Sequence, residues 1–583
     1  MHLLSLIFGV ALSLSFLKVD ARPHKLRAVN LGSWLVLEPW MLPAEWKAMG
    51  GENCDPCSDC IRSEFDFAKA YPDTVDQQFE KHWETWFNQP DVDELVRLKI
   101  NAVRIPLGYW IIEALVDRKT EFFPRGGFKQ LRRGLSQLRK AGIEVILDHH
   151  AVPGVQTYTQ MFTGRCTPDV QFYTDQNYER ALVWTAVMTA LSHIDPVFGS
   201  VFSIQAVNEP IMDAHQTPGF GEFQKNFVLT VRIIEAILGI WVFDPAAPEL
   251  IFSGETDIAT AFGKVATDPE GHSKFPTQVL QAIAEAAPII QELVHGSAYK
   301  QPNDYDDEGA LLSLTFDLDT FKHRKPLITN FMDVNWQFNF PANPADAAIG
   351  PISFDNHLYY SFGGVADPDP EAYLISICNL RRVENDAALG NSPLWFGEWA
   401  LPTQFNATDE FLRKWGDAQK LAYNKGYGWI FWSFKIEISE EAGDTAREWS
   451  YFEATRRGLL TEDPEDYHDP HVCDPYYGRT YTATSTTTQA SSTTTQTITT
   501  TQRVTTSTTE APLTSIRTVT ITTGSPTGTS TPPPPTTILT LTTSGVITAN
   551  TTLTITTSTT FTTTQLTATT TSTTAIPNRT NHH

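Results

Sequence analysis

Residues 201–210 read VFSIQAVNEP, and residues 393–400 read PLWFGEWA. Each is an apolar run of strand character that ends in a carboxylate, Glu209 in the first and Glu398 in the second. A carboxylate at the mouth of an apolar strand is costly to desolvate unless something pairs it or uses it. Similar runs lie at 27–34 (RAVNLGSW), 100–109, 143–150 (IEVILDHH), 248–255 (PELIFSGE), 352–360 (ISFDNHLYY) and 426–434 (GYGWIFWSF). Helical patterns fall between them, at 128–142, 180–194 and 222–240. Near-continuous apolar strands alternating with helices argue for a parallel sheet covered on both faces. Eight such units predict a (β/α)8 TIM barrel; the competing arrangement is a doubly wound open sheet. The fifth strand has two candidates, 248–255 and 326–333 (PLITNFMD), and the first is preferred because it directly follows a good helical pattern. That choice makes ~258–345 a long insertion after strand five, far above ordinary loop lengths, which on a barrel would form a lid or rim of the active face.

Outside this region the composition changes. Residues 1–21 (MHLLSLIFGVALSLSFLKVDA) have the apolar core and small-residue end of a secretory signal peptide, and their apolar run is short for a membrane span. From residue 481 the chain is Thr- and Ser-rich with scattered Pro, without apolar periodicity. Such a segment cannot bury a core and is expected to be a disordered, O-glycosylated tail at 481–583. It ends in NRTNHH rather than a hydrophobic stretch, so neither a GPI signal nor a C-terminal membrane helix is expected. Residues 22–480 are then the catalytic domain.

With 43 Lys and Arg against 67 Asp and Glu, the net charge is −24, and no basic stripe is present. Nucleic acid is therefore not an expected partner. An acidic, aromatic-rich chain suits a neutral substrate such as a glycan, although acidity also serves solubility alone. The six cysteines are Cys54, Cys57, Cys60, Cys166, Cys378 and Cys473, an even number that favours disulfides in an oxidising compartment over a zinc site. The pairing is open. Joining Cys378 to Cys473 would secure the C-terminal end of the folded region.

In a TIM barrel the catalytic groups stand at the C-terminal ends of the strands. Here those ends carry Glu38 and Trp40, Arg104, Asp148-His149-His150, Asn208-Glu209, His357 and Tyr359, Glu398, and Trp432. Taken singly, each has a structural reading as a helix cap, an ion-pair partner or a core aromatic. Brought together, they form a pocket of carboxylates, imidazoles, one guanidinium and indoles, which suits glycoside hydrolysis. Two carboxylates flank the scissile bond, and their spacing decides the stereochemical outcome. Glu209 is then the acid/base and Glu398 the nucleophile, with Arg104 holding one carboxylate charged while the like charge raises the pKa of the other. Asn208 can donate to a sugar 2-hydroxyl, and Trp432 offers a flat face to a pyranose ring. Asp148-His149-His150 contains metal-ligand types without zinc-like spacing, so no metal is expected.

The ordered set RAVNLGSWLVLEPW (27–40), HWETW (82–86), VRIPLGYW (103–110), DHHAVPGVQ (148–156), NEP (208–210), HLYYSF (357–362), FGEWA (396–400) and GWIFWSFKIE (428–437) resembles glycoside hydrolase family 5, most closely its fungal-type exo-β-1,3-glucanases. The resemblance spans nearly all of residues 27–473. It implies a cofactor-free retaining enzyme that releases glucose from β-1,3-glucan, with Glu209 as acid/base and Glu398 as nucleophile. It also implies that Glu38, Arg104, His150, Asn208, His357, Tyr359 and Trp432 line the terminal-glucose site or hold its carboxylates, and that Phe362 helps form the next. The chain departs from the family at Ser33, at His149-His150-Ala151, in the segment after 153–156 and in the insertion. Other β-glucan linkages (1,6 or 1,4), endo action and a non-catalytic wall-binding protein are the alternatives. The expected protein is a secreted or wall-associated monomer without stable membrane insertion.

Overall fold

The computed structural model describes residues 25–240, 261–262, 275–295, 324–333, 336 and 349–481, together with 497–504, 517–521, 537–541 and 553–560. Residues 1–21, read as a signal peptide, lie outside them. Eight parallel strands close into a barrel in sequence order. They are β1 (Leu26–Asn30), β2 (Ala102–Gly108), β3 (Glu144–Ala151), β4 (Val201–Gln205), β5 (Ile328–Met332), β6 (Ile352–His357), β7 (Leu394–Glu398) and β8 (Gly428–Phe431). Closure is made by β1, whose Ala28 sits opposite Ala102 of β2 on one side and Ile430 of β8 on the other.

Each strand divides its side chains between two environments, because successive residues point to opposite faces. Leu26, Ala28, Ala102, Ile146, Phe202, Ile328, Trp395 and Ile430 form a small separate apolar cluster drawn from seven of the eight strands, which plugs the barrel. Val29, Val103, Ile105, Val145, Leu147, Phe354 and Phe396 join the larger core under the helices. On the plug's side of the strands the next positions toward the C-terminal ends are polar: Asn30 after Ala28, Arg104 after Ala102, Asp148 after Ile146, all buried. The barrel thus changes from oil to charge along its axis, and the charged end is where the site forms.

The helix Asp175–Ile194 follows β3; Thr174 caps it, its side chain accepting from the Asn177 amide. Nearly every residue from Tyr178 onward is buried, because the helix is covered by Phe220–Ile237 and by a further helix, Thr277–His295. That further helix corrects the expected topology. The fifth strand is Ile328–Met332, not 248–255, and residues 248–255 lie outside the described residues. Two short apolar runs of equal length cannot be ranked by periodicity. What selects 328–332 is its neighbours. Ser203, Ile204 and Gln205 of β4 pair with Ile328, Thr329 and Asn330, and Thr329 pairs onward with Ile352 of β6. Arg232, on the helix after β4, donates to the carbonyls of Leu327 at 2.8 Å, Ile349 at 2.6 Å and Pro351 at 2.9 Å. Glu235 on the same helix accepts from the Leu327 amide at 2.6 Å. Most of the insertion therefore precedes β5 on the helix-to-strand side of the barrel, and its described helix thickens the wall. It is not the loop after strand five.

All six cysteines are paired: Cys54–Cys60, Cys57–Cys166 and Cys378–Cys473. The chain separates into two units, dividing between Thr482 and Ala483. In the second, Thr497–Val504 pairs antiparallel with Leu553–Thr560, and Arg517–Ile521 with Thr537–Leu541. Isolated two-stranded ribbons are marginal in water, which fits the lack of apolar periodicity there. The rest of the tail lies outside the described residues. No described helix is long and apolar enough to cross a membrane.

Candidate active site

Arg104 organises the polar end of the barrel. It projects from β2 and is wholly buried, which is tolerable only because every face of its guanidinium is engaged. Nη1 donates to Glu398 Oε1 and to Asn30 Oδ1, each at 3.0 Å. Nη2 donates to Asn208 Oδ1 at 2.7 Å and lies 3.1 Å from Asp148 Oδ2. Nε donates to Gln205 Oε1 at 2.9 Å, with Asp355 Oδ2 3.8 Å away. One cation therefore joins residues of β1, β2, β3, β6 and β7, together with β4 and the turn after it.

Glu398 closes β7. Besides Arg104, it accepts from the Tyr359 hydroxyl at 2.8 Å and has His357 Nδ1 3.4 Å from Oε2. Burial pushes its carboxyl up and the nearby Glu209 adds to that, while His357 and Arg104 pull it back. Glu209 reaches in from the turn after β4, with Oε1 2.6 Å from His357 Nδ1. Its backbone is left-handed at φ 39°, a conformation a non-glycine residue holds only when its surroundings fix it. Here the Thr157 hydroxyl donates to the Glu209 carbonyl, Gln156 Nε2 donates to the Asn208 carbonyl at 3.0 Å, and the Asn208 amide donates to His149 O at 3.2 Å. Carboxylate oxygens of Glu209 and Glu398 and a ring nitrogen of His357 all lie within 4.8 Å of one another.

Burial opposes charge on His357, but Glu398 and Asp355 outweigh it and raise its pKa to about 10. The two glutamates thus share an imidazolium as well as a guanidinium. These donor types would suit a metal ion. However, Glu398 is already bonded to Arg104 and Tyr359, and the buried Arg104 cation beside the trio repels a second, so the set does not fit one.

A cavity of about 310 Å³ opens onto these groups. Glu209, Glu398, Asn208, Glu38, His150 and Tyr359 supply its polar wall, and Trp432, Trp40, Trp449, Phe162 and Phe362 its aromatic one. His150 stacks on Trp432 with ring centroids 5.6 Å apart and interplanar angle 6°, and its Nδ1 lies 2.6 Å from Asp148 Oδ2. Burial raises the Glu38 carboxyl to about 7, with Trp40 Nε1 donating to it at 2.8 Å. Phe362 is more than half exposed at the rim, edge-on to Tyr359.

The ten residues given a catalytic or substrate-binding role converge here: eight line the cavity, and Arg104 and His357 stand behind it, whereas His149, also at the end of β3, stacks on Trp184 with ring centroids 3.9 Å apart. Sequence reasoning passed over Asp355 and Gln205, which support Arg104. Asp355 was legible, since alternation along β6 puts it on the same face as His357. It also passed over Trp449, which comes from the short helix Ala446–Trp449 after β8, and over Gln160, Met161 and Phe162. These sit on loops with no periodic signal.

No family model matches the chain. It is 28% identical over 461 residues to a glucan endo-1,6-beta-glucosidase B of Emericella nidulans, covering 77% of this chain and 88% of that protein. It is 32% identical over 212 residues to a glucan 1,3-beta-glucosidase of Blumeria graminis, covering 36% of this chain and 46% of that protein. A rutinosidase structure from Aspergillus niger superposes with a TM-score of 0.47 at 16% identity, over 76% of this chain and 99% of that one. Both sequence relatives carry the names of β-glucan-cleaving glucosidases. The site agrees with that in its chemistry, because paired carboxylates, buried hydrogen-bonding groups and flat aromatic walls are what a sugar ring needs.

Proposed function

We propose that this protein is a retaining glycoside hydrolase acting on β-glucan. The observation that carries the reading is the approach of Glu209 and Glu398, with carboxylate oxygens within 4.8 Å. Retaining enzymes hold their carboxyl groups about 5–5.5 Å apart, whereas inverting ones leave roughly 6.5–9.5 Å for a water. Glu398 is the nucleophile, because an N–H of Arg104 and the hydroxyl of Tyr359 stabilise its anion and orient it. Glu209 is assigned as the acid/base by its place: it reaches in from the turn after β4, across the cavity from the carboxylate that Arg104 and Tyr359 orient.

In the first step Glu398 forms a bond to the anomeric carbon. The glycosidic C–O bond breaks, and the proton of Glu209 goes to the leaving oxygen. In the second, Glu209 takes a proton from water, whose oxygen displaces Glu398. An acceptor hydroxyl in place of water gives transglycosylation. Asn208, with its side-chain oxygen turned to Arg104, has its side-chain NH2 to donate to a sugar hydroxyl.

The relatives that match over most of both chains bear β-1,6 endo-glucosidase names, which favours internal cleavage of β-1,6-glucan. Release of glucose from β-1,3-glucan is the second reading, supported by the resemblance above and by relatives matched over less than half their length. Incubating the protein with each glucan and following products over time separates them. Mixed oligomers from β-1,6-glucan support the first, and glucose alone from β-1,3-glucan the second. No product from either glucan defeats both. For Glu209→Ala, added azide should restore turnover of an activated glucoside and give a β-glucosyl azide; an α product would overturn retention. We also propose that the protein works as a secreted monomer with the Thr-rich segment as a glycosylated spacer. Complete pairing of its cysteines supports an oxidising compartment.

A further inference from the structure

The segment between β3 and the helix Asp175–Ile194 contributes Gln160, Met161 and Phe162 to the cavity. Its only regular element is the single turn Met161–Thr163. Several of its hydrogen bonds are internal, such as Thr159 N to Thr167 O at 2.8 Å and Gly164 N to Met161 O at 3.0 Å. Ordering such a loop costs about 1–2 kcal/mol per residue, so something outside it has to hold it.

The Phe65 amide donates to Gly164 O at 3.0 Å and the Arg165 guanidinium lies over the Phe65 ring, and two further attachments hold the ends. At one end Thr157 donates to the carbonyl of Glu209. At the other, buried Cys166 is bonded to buried Cys57. Cys57 sits at the tip of a knuckle, residues 52–61, that is itself closed by Cys54–Cys60 and by Glu52 N donating to Ile61 O at 2.8 Å. The indole of Trp46 donates to Glu52 O and Ile61 O, each at 3.1 Å, and fixes the knuckle to the core. The attachment thus runs from the core to the knuckle by hydrogen bonds, and from the knuckle to the wall of the cavity by the disulfide. Within the wall Phe162 stands edge-on to His150, 5.6 Å between rings, and His150 stacks on Trp432.

We propose that Cys57 and Cys166 are positioning residues for substrate recognition: their disulfide holds Gln160, Met161 and Phe162 as a fixed wall that contacts glucan units beyond the one at the carboxylates. The substrate class is a β-linked glucan of two or more units. The inference rests on the hydrolase reading above and deepens it.

The test compares the full-length protein with Cys57→Ala/Cys166→Ala, which retains Cys54–Cys60. Two substrates are used, β-glucosyl fluoride, which fills only the position at the carboxylates, and a β-glucan oligosaccharide. The expected result is a KM for the oligosaccharide raised at least fivefold, with kcat and the glucosyl fluoride constants within twofold. Amide exchange over 158–166 should quicken at least tenfold while the barrel strands stay protected. Phe162→Ala, with the disulfide intact, should reproduce the KM effect. An unchanged oligosaccharide KM despite faster exchange overturns the proposal, and so does an equal loss on both substrates. If the wild type turns over neither substrate, the hydrolase reading fails. Oligosaccharide binding to the same proteins, followed by tryptophan fluorescence, then decides the wall separately: a fivefold weakening sustains it and equal affinity refutes it.

Discussion

Arg104 shows how a single side chain sets the chemistry of this barrel. Its burial would be prohibitive alone, and so would that of Glu398 and Asp148; together, with Asn30, Asn208 and Gln205 filling the remaining positions, the cluster is satisfied. The nucleophile assignment predicts that Glu398→Gln lowers kcat by on the order of 10⁴ or more while glucan still binds. Turnover within tenfold of wild type would refute it. His357 gives a pH prediction. Its folded pKa of about 10 lies above the ordinary 6.5. The stability it confers is therefore fully present below pH 6.5 and is lost as pH rises from there through about 10. Urea midpoints of wild type and His357→Asn should differ most below pH 6.5 and converge through pH 10. A gap that widens with pH would reverse the sign and sink the account.

Among the elements, the helix Phe220–Ile237 does more than cover the sheet. Through Arg232 it grips the backbone leading into both β5 and β6, while Glu235, wholly buried, balances that cation with Oε2 at 2.5 Å. Burial acts to raise the Glu235 carboxyl, but Arg232 and His193 hold it below its ordinary range. Removing Arg232 strands this anion. Arg232→Ala should cost about 3–5 kcal/mol in chemical denaturation, with exchange quickening first at 328–332. Uniform quickening across all eight strands would argue against a local grip. The same interaction explains why the fifth strand could not be read in advance. Seven strands were legible because apolar residues run between turn signals and end in polar groups. At the fifth, two such runs competed, and the choice depends on a helix nearly a hundred residues upstream in sequence.

For the molecule as a whole, Cys378–Cys473 closes a span of 95 residues and ties the segment after β8 to the helix Pro370–Cys378. A crosslink of that span restricts the unfolded chain by roughly 4–5 kcal/mol in the entropic account, and removal of native disulfides typically costs about 2–5. Cys378→Ser/Cys473→Ser should lose stability in that range with kcat unchanged, because neither cysteine touches the cavity. A fall in kcat at temperatures where the variant is fully folded would show that the pair also shapes the site.

What this sequence determined by itself was periodic or local: the alternation of strands and helices, the polar residues ending each strand, and the two glutamates. These follow from side-chain order along one element, and short-range physics dictates them. Tertiary structure alone decided which run became β5, which cysteines met, and that Trp449 and the 160–162 wall reach the cavity. Each depends on surfaces that come together only when distant segments pack, and side-chain order within a segment carries no record of what will lie against it.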